Sequence, residues 1–251
     1  MSLSLTLARY YHAHHSQQSE DIPFWLELAE QKGSPILELG CGSGRVSLAL
    51  ARAGHSVFGL DKDTGMLAVF KAQLNPELSS RIDILRADLT RFYLKRKFPL
   101  IIIPCNTYST LSLTERLSSL SCVASHLQPG GCFAASLPNP TALAALPRRG
   151  DPELETTFPH PQDGEPVQVS SGWRRSGQQI IFNWHYDHLL PDGRVERQSL
   201  QIRQNLTPVE AYLEELQQAG LRIVEMYGDY NRTGYTPDSP YLILWVTNSQ
   251  R

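Results

Sequence analysis

The sequence has no strong charge of either sign and no long apolar run. Its 251 residues carry 23 Lys and Arg against 25 Asp and Glu, a formal net charge of −2. Broad binding of DNA or RNA needs clustered positive charge, so this balance disfavours a nucleic-acid partner. Apolar stretches such as Leu100–Ile103 are far shorter than the roughly 18 residues of a membrane span. Residues 1–11 also lack the pattern of a signal peptide.

The sequence also lacks paired cysteines. The four cysteines stand at positions 41, 105, 122 and 132, and none forms Cys-x-x-Cys. Dispersed thiols are typical of a reducing compartment, so we expect a cytoplasmic protein. His12, His14 and His15 resemble metal ligands, but no cysteine or acidic residue stands at a suitable spacing. We therefore expect a solvated segment there and no metal.

What the sequence does contain is an alternation of strand-like and helix-like segments. Hydrophobic residues make up 41% of the chain, and one α/β domain can use this whole length. The alternation predicts a parallel sheet with helices on both faces. Strands are predicted at 35–39, 56–60, 81–87, 99–105, 131–137, 221–227 and 241–247, and helices at 24–31, 45–53, 64–74, 114–127 and 207–219.

The pattern changes after the fifth predicted strand. Seven prolines stand between residues 138 and 166, which predicts a surface excursion without helix. Strand-like runs then follow at 167–174, 179–190 and 195–206, and Pro191-Asp192-Gly193 predicts a hairpin between the last two. These runs predict an antiparallel sheet with one apolar face and one polar face.

The most informative motif is Glu38-x-Gly40-x-Gly42-x-Gly44, which follows the first strand and opens a helix. Close glycines let the backbone turn sharply and approach a ligand. The motif lies where strand order is expected to reverse and leave a crevice. Asp61 ends the next strand, 21 residues after Gly40, and suits a carboxylate that accepts the hydroxyl protons of a ribose. Asp88 ends the third strand, where a polar group would meet an adenine amine.

The spacing of the glycines separates two nucleotide cofactors. Dinucleotide-binding proteins use Gly-x-Gly-x-x-Gly, whereas here the third glycine is Gly44 and the next residue is Arg45. The Glu38 carboxylate would repel a pyrophosphate and would suit an ammonium or a sulfonium. An NAD-dependent oxidoreductase is therefore the disfavoured alternative. A non-catalytic cofactor-binding or interaction module of the same fold stays open, because the motif does not show turnover.

On these residues the chain resembles the class I S-adenosylmethionine-dependent methyltransferases, especially small-molecule members such as amino-sugar N-methyltransferases. The resemblance extends to an N-terminal tyrosine (Tyr10 or Tyr11), the extra antiparallel sheet and Tyr227-Gly228-Asp229-Tyr230. It implies a doubly wound, seven-stranded, mostly parallel α/β sheet of the Rossmann-like type, with an antiparallel β insertion before the last helix. It also implies S-adenosyl-L-methionine as cofactor, contacted by Tyr10, Glu38, Gly40, Cys41, Gly42, Gly44, Asp61, Lys62, Met66, Asp88, Leu89 and Cys105.

The reaction that this resemblance implies is in-line methyl transfer to nitrogen or oxygen of a small-molecule acceptor. It needs nucleophile, methyl and sulfur held in line in a dry site, and a base only for a protonated nucleophile. The segment 104–108 is not the Asn-Pro-Pro-Tyr motif of DNA and protein amide methyltransferases, which disfavours those acceptors. The candidate catalytic residues are Asn106, Tyr108, His185 and Tyr230.

We expect one methyltransferase domain over residues 1–251. Residues 1–33 would form a helical cap, and residues 138–206 would form a Pro-rich loop and β insertion that lids the substrate site. The expected partner is a small-molecule acceptor, without nucleic acid or membrane. The sequence leaves open whether the protein is a homodimer.

Overall fold

The computed structural model describes residues 3–248, which form two β-sheets and a set of helices. The helices are α1 (Leu5–His15), α2 (Ile22–Lys32), α3 (Arg45–Arg52), α4 (Thr64–Lys71), α5 (Pro76–Ser79), α6 (Thr107–Thr110), α7 (Leu113–His126), α8 (Pro140–Ala145) and α9 (Val209–Gln218). The strands are β1 (Ile36–Leu39), β2 (Val57–Asp61), β3 (Ile82–Arg86), β4 (Phe98–Ile103), β5 (Leu127–Pro138), β6 (Arg149–Pro159), β7 (Pro166–Ser176), β8 (Gln179–Leu189), β9 (Val195–Asn205), β10 (Leu221–Tyr227) and β11 (Tyr241–Asn248).

The larger sheet has seven strands in the order β10-β11-β5-β4-β1-β2-β3. Strands β1 to β5 pair in parallel, and β11 is antiparallel to both β5 and β10. The predicted α/β fold with a terminal antiparallel hairpin is therefore confirmed. The chain leaves β1 towards β2 on one side, and β4 lies on the other. This reversal opens a crevice at the carboxyl ends of these strands.

Strand β4 shows why the sheet needs helices on both faces. Ile101 and Ile103 belong to one hydrophobic cluster, whereas Leu100 and Ile102 belong to another. All four side chains are fully buried. A continuous apolar run is what a strand covered on both faces requires. Among residues 3–248, no helix is long and apolar enough to cross a membrane.

The second sheet, called the insertion sheet below, is antiparallel and has the order β6-β7-β8-β9. It precedes the last helix in the chain, as the sequence predicts. The expectation that residues 138–166 contain no helix is wrong, because α8 lies there, and the exposed strand β6 follows it. The prolines are compatible with both elements. Pro140 is the first residue of α8, where no helical N–H is lost, and β6 is an edge strand, which tolerates proline.

The expectation of a solvated segment at the histidines is also wrong. Residues 5–15 form α1, which contacts α4 on one side and β6 and β9 on the other. The helix begins where the Ser4 side chain accepts a hydrogen bond from the Leu7 N–H. Leu7 and Tyr10 pack into the apolar face of the insertion sheet with Tyr186. Helix α1 thus joins the two sheets.

Candidate functional site

A cavity of about 790 Å³ lies at the carboxyl ends of the central strands and extends to the insertion sheet. Its residues come from two places. The glycine-turn side consists of Glu38, Gly40, Cys41, Gly42, Asp61 and Met66, on and after β1 and β2. The insertion side consists of Tyr11, His14, Glu155, Trp184, Gln204 and Tyr230, from α1, the insertion sheet and the last loop.

The turn that begins the glycine-turn side requires glycine for steric reasons. Gly42 and Gly44 have φ angles of +54° and +85°, in the left-handed region that other residues avoid. A Cβ on Gly44 would lie 2.2 Å from the Phe70 ring. Gly44 therefore serves the packing of α3 against α4, whereas Gly42 lines the cavity itself.

Glu38 is a buried carboxylate at the floor of the glycine-turn side. Its side chain accepts a hydrogen bond from the Ser47 hydroxyl. Burial raises the pKa of Glu38 to about 7, although the bond from Ser47 and the charge of Arg45 oppose the rise. A buried carboxylate whose negative charge lacks a positive partner is stabilised by a cation beside it. Glu38 therefore suits an ammonium group.

Asp61 ends β2 and faces the cavity, as its position in the sequence predicts. Its two carboxylate oxygens accept hydrogen bonds from the N–H groups of Gly42 and Asp63, both at 2.8 Å. Burial raises its pKa above the usual value, while these bonds lower it. The bonds fix the carboxylate at the cavity wall, where each oxygen keeps a lone pair for a hydroxyl.

An ion pair lines part of the cavity wall. The Arg45 guanidinium donates to both carboxylate oxygens of Asp21, at 2.5 and 2.7 Å, and to Cys105 Sγ at 2.9 Å. Cys105 has a φ of +60°, unusual for a residue other than glycine, and its N–H donates to Ser136 Oγ.

The insertion side carries a hydrogen-bonded group centred on Glu155. Trp184 Nε1 donates to Glu155 Oε1 at 3.1 Å, and His14 Nε2 lies 3.3 Å from Glu155 Oε2. The other nitrogen of His14 lies 3.3 Å from the Tyr186 hydroxyl. Burial lowers the pKa of His14, although Glu155 raises it, so the ring is neutral at pH 7. These contacts hold both Glu155 oxygens at the cavity wall.

The charge of the cavity is strongly one-sided. Of the described residues that line it, Arg45 is the only lysine or arginine, and Asp21 neutralises it. The acidic residues on its wall are Glu20, Asp21, Glu38, Asp61 and Glu155. The buried Gln204 side chain adds an oxygen without a hydrogen-bond partner. The cavity therefore favours cations and hydrogen-bond donors and disfavours a pyrophosphate.

Several sequence-predicted site residues come together at this cavity. They are Glu38, Gly40, Cys41, Gly42, Asp61, Met66, Cys105, Asn106 and Tyr230. Lys62, Asp88 and Leu89 follow β2 and β3 but do not line the cavity, and the Asp88 carboxylate accepts bonds from Thr90. Their predicted role in cofactor binding remains a prediction.

Three predicted positions need correction. Tyr10 packs against Phe158 and Tyr186, and its neighbour Tyr11 faces the cavity instead. Tyr108 is fully buried beside Tyr212, because α6 turns its ring into the core. His185 lies on the face of β8 opposite Trp184, bonded to Ser199.

His14 and Glu155 are among the residues of the insertion side that sequence reasoning missed. His14 belongs to a histidine group with no local partner, and Glu155 lies within the proline-rich segment. Their contact joins α1 to β6, so no local spacing reveals it. The 3.6-residue periodicity of Leu7, Tyr10 and His14 was the available signal for a packed helix.

The fold is the α/β fold of S-adenosylmethionine-dependent methyltransferases. Residues 36–131 match the family model described as a methyltransferase domain. Residues 36–131 therefore form a methyltransferase domain, and the fold of the chain is similar to that of small-molecule N-methyltransferases. The predicted family and cofactor are thereby confirmed.

Similar proteins include a cypemycin N-terminal methyltransferase from Streptomyces sp, 29% identical over 150 residues. That match covers 59% of this chain and 58% of the relative. An S-adenosylmethionine-dependent methyltransferase from Clostridium acetobutylicum has the same fold, with a TM-score of 0.78, 15% identity, and 96% and 98% of the two chains covered. The sugar N-methyltransferase KedS8 from Streptoalloteichus sp gives a TM-score of 0.74, with 18% identity and 97% and 93% covered.

The residues of the glycine-turn side fit S-adenosylmethionine. The buried Glu38 carboxylate suits its ammonium group, and the fixed Asp61 carboxylate suits its ribose hydroxyls. A Cβ at position 42 would come within 3.2 Å of Met66 Cε at the cavity wall. Glycine at this position therefore keeps that space in the cavity free. When bound there, the cofactor supplies a methyl group on a cationic sulfur.

Proposed function

We propose that this protein transfers a methyl group from S-adenosylmethionine to the amino nitrogen of a small-molecule acceptor. The supporting observation is the chemistry of the insertion side, where a held carboxylate and an unpaired carbonyl oxygen face the cavity among aromatic rings. An amine satisfies these acceptors as a donor, and its protonated form also suits the acidic wall and the rings. The similarity to a cypemycin N-terminal methyltransferase and to a sugar N-methyltransferase supports the same assignment.

In this proposal Glu155 binds the acceptor amine and takes part in its deprotonation. Only an unprotonated amine has the lone pair that displaces the methyl group, so a proton must leave first. Glu155 is fixed by Trp184 and His14, which lets its carboxylate orient the amine without side-chain rearrangement. His14 has both ring nitrogens engaged, so it acts as a positioning residue.

The remaining cavity residues have supporting roles in the proposal. Glu38, Asp61 and the glycine turn hold the cofactor, and Asn106 and Tyr230 form a further border of the cavity. The Tyr230 hydroxyl donates to Ser136 Oγ, and Ser136 also accepts the Cys105 N–H, so this border is tied to β5. The insertion sheet and α1 exclude water from the acceptor, as a lid does.

The test is methyl transfer to a matched panel of primary amines, amino sugars and their hydroxyl analogues, followed by mass spectrometry. We expect products from the amines and none from the hydroxyl analogues. Glu155→Gln should lower kcat/KM for the amine about 10- to 100-fold, the range of one charge-assisted contact, with unchanged cofactor affinity.

Glu153→Gln is the matched control, because Glu153 is exposed on the same strand and does not line the cavity. It should behave as the parent does. Methylation of the hydroxyl analogues alone would overturn the amine assignment. Equal activity of the two variants would remove Glu155 from the proposal.

A further inference from the structure

A second group of ligand-bearing side chains lies on the insertion sheet, away from the cavity. His160 and Asp163 stand in the turn that joins β6 to β7, and His188 stands near the end of β8. Strand β7 pairs with both β6 and β8, so the turn meets the end of β8. None of the three residues lines the cavity, and methyl transfer as proposed does not use them.

The ligand atoms of this cluster converge on one point. His160 Nδ1 lies 2.7 Å from Asp163 Oδ1, and His188 Nε2 lies 3.3 Å from the same oxygen. One ligand atom from each residue can be chosen so that all lie within 4.8 Å of one another. Two imidazoles and a carboxylate that meet in this way form a donor set for a divalent metal ion.

Burial holds two of the three ligands in place and leaves the third movable. The side chains of His160 and His188 are 9% and 4% exposed, whereas that of Asp163 is 45% exposed. The two rings stack at a centroid distance of 4.0 Å, and Tyr10 packs on His160. Because a metal ion lies in the plane of each imidazole that binds it, one of the two stacked rings must turn before both nitrogens can meet one ion, and the carboxylate gives an entry from solvent.

One of the distances between ligand atoms already matches a tetrahedral zinc site. Bonds of about 2.0–2.1 Å place neighbouring ligand atoms roughly 3.3 Å apart. The separation between His188 and Asp163 already has this value. The separation between His160 and Asp163 must open by about half an ångström for such bonds, and the exposed Asp163 side chain can make that movement.

We propose that His160, Asp163 and His188 bind one divalent transition-metal ion, Zn²⁺ by preference. Water completes the coordination on the exposed side. Neutral imidazole and carboxylate ligands without a thiolate suit Zn²⁺ and its neighbours in the first transition row. The ion ties the β6–β7 turn to the end of β8 and stabilises the insertion sheet.

The test is calorimetric titration of the full-length, chelator-treated protein with Zn²⁺. We expect one ion per chain in the parent. Asp163→Asn and His188→Gln should each weaken binding at least about tenfold, since each removes a ligand. His185→Gln is the matched control, because His185 lies on the opposite face of the same strand as His188. The control should bind as the parent does.

Thermal unfolding and Co²⁺ absorption spectra test the same site if a variant proves unstable in the titration. Zn²⁺ should raise the Tm of the parent and of His185→Gln, and should leave that of Asp163→Asn unchanged. Asp163 is an exposed turn residue, so this variant is expected to fold. Co²⁺ in place of Zn²⁺ should give visible absorption without a thiolate charge-transfer band. Absence of binding to the parent, equal isotherms for all variants, or a thiolate band would each overturn the proposal.

Discussion

The two sides of the cavity are built by different routes. The glycine-turn side takes its residues from the ends of adjacent parallel strands, β1 and β2. The insertion side joins α1 to β6 and β8, and its contact between His14 and Tyr186 spans 172 positions of the chain. The first side follows from sheet topology alone, whereas the second exists only after a separate sheet has docked on the N-terminal helix. We infer that cofactor binding and acceptor choice can change independently in this fold.

The strongest test of that independence replaces the insertion sheet. We expect a variant with residues 149–203 exchanged for a Gly-Ser linker to lose turnover by at least ~1,000-fold, because orientation and water exclusion are lost. Its affinity for S-adenosylmethionine should stay within about tenfold of the parent, since the glycine-turn side rests on the larger sheet. Calorimetry and a methyl-transfer assay measure the two quantities, and circular dichroism checks the fold. Retained turnover would show that the insertion sheet does not act as a lid. Loss of both turnover and cofactor affinity would show that the two sides of the cavity are not independent.

Asp61 offers the complementary change on the glycine-turn side. Asp61→Asn should weaken cofactor binding about 10- to 100-fold, as expected for a lost charge-assisted hydrogen bond. At saturating cofactor, the KM for the acceptor should not change. Asp83→Asn on the neighbouring strand β3 is the control, because Asp83 is exposed and does not line the cavity. Titration calorimetry of both variants decides the matter, and equal affinities would exclude a role for Asp61.

The titration of Glu38 makes the stability of the glycine-turn side depend on pH. Its pKa is about 7 in the folded protein against an ordinary 4.5, so the folded state binds the proton more tightly. Stability from this group is therefore present at low pH and is lost as pH rises from about 4.5 through 7. Ionisation of the buried group costs about 3 kcal/mol by this shift.

The variant Glu38→Gln removes this titration. We expect its free energy of unfolding, relative to the parent, to rise by up to about 3 kcal/mol between pH 5 and pH 8.5 without cofactor. Denaturant unfolding at the two pH values measures it. The same variant should bind cofactor more weakly, because Gln cannot supply a charge to an ammonium. A pH-independent difference would mean that Glu38 is not the titrating group.

The difference between the two sides also explains what the sequence could predict. The glycine turn, Glu38 and Asp61 are separated by a strand and a helix of ordinary length, so strand order alone brings them together. Tyr108 and His185 were placed wrongly because the sequence does not show which face of α6 or of the insertion sheet meets the cavity. Helix α6 turns Tyr108 into the core, and the alternation of β8 sends His185 away from Trp184. The contact between His14 and Glu155 depends on docking of α1, which no local pattern encodes.

The smallest predicted effect on binding or turnover concerns the adjacent residues Tyr10 and Tyr11, which the sequence does not distinguish. Tyr11 faces the cavity, and burial, with Cys105 and Asp61 nearby, raises its pKa, so its hydroxyl remains a donor. Tyr10 packs in the insertion sheet. Tyr11→Phe should lower cofactor affinity or kcat/KM about tenfold, the value of one hydrogen bond, whereas Tyr10→Phe should change neither. Because both variants remove one hydroxyl from the same helix, a difference between them reports on the direction in which each ring points. Equal effects, or a larger effect of Tyr10→Phe, would return the cofactor contact to Tyr10 and would mean that α1 is rotated when the site is filled.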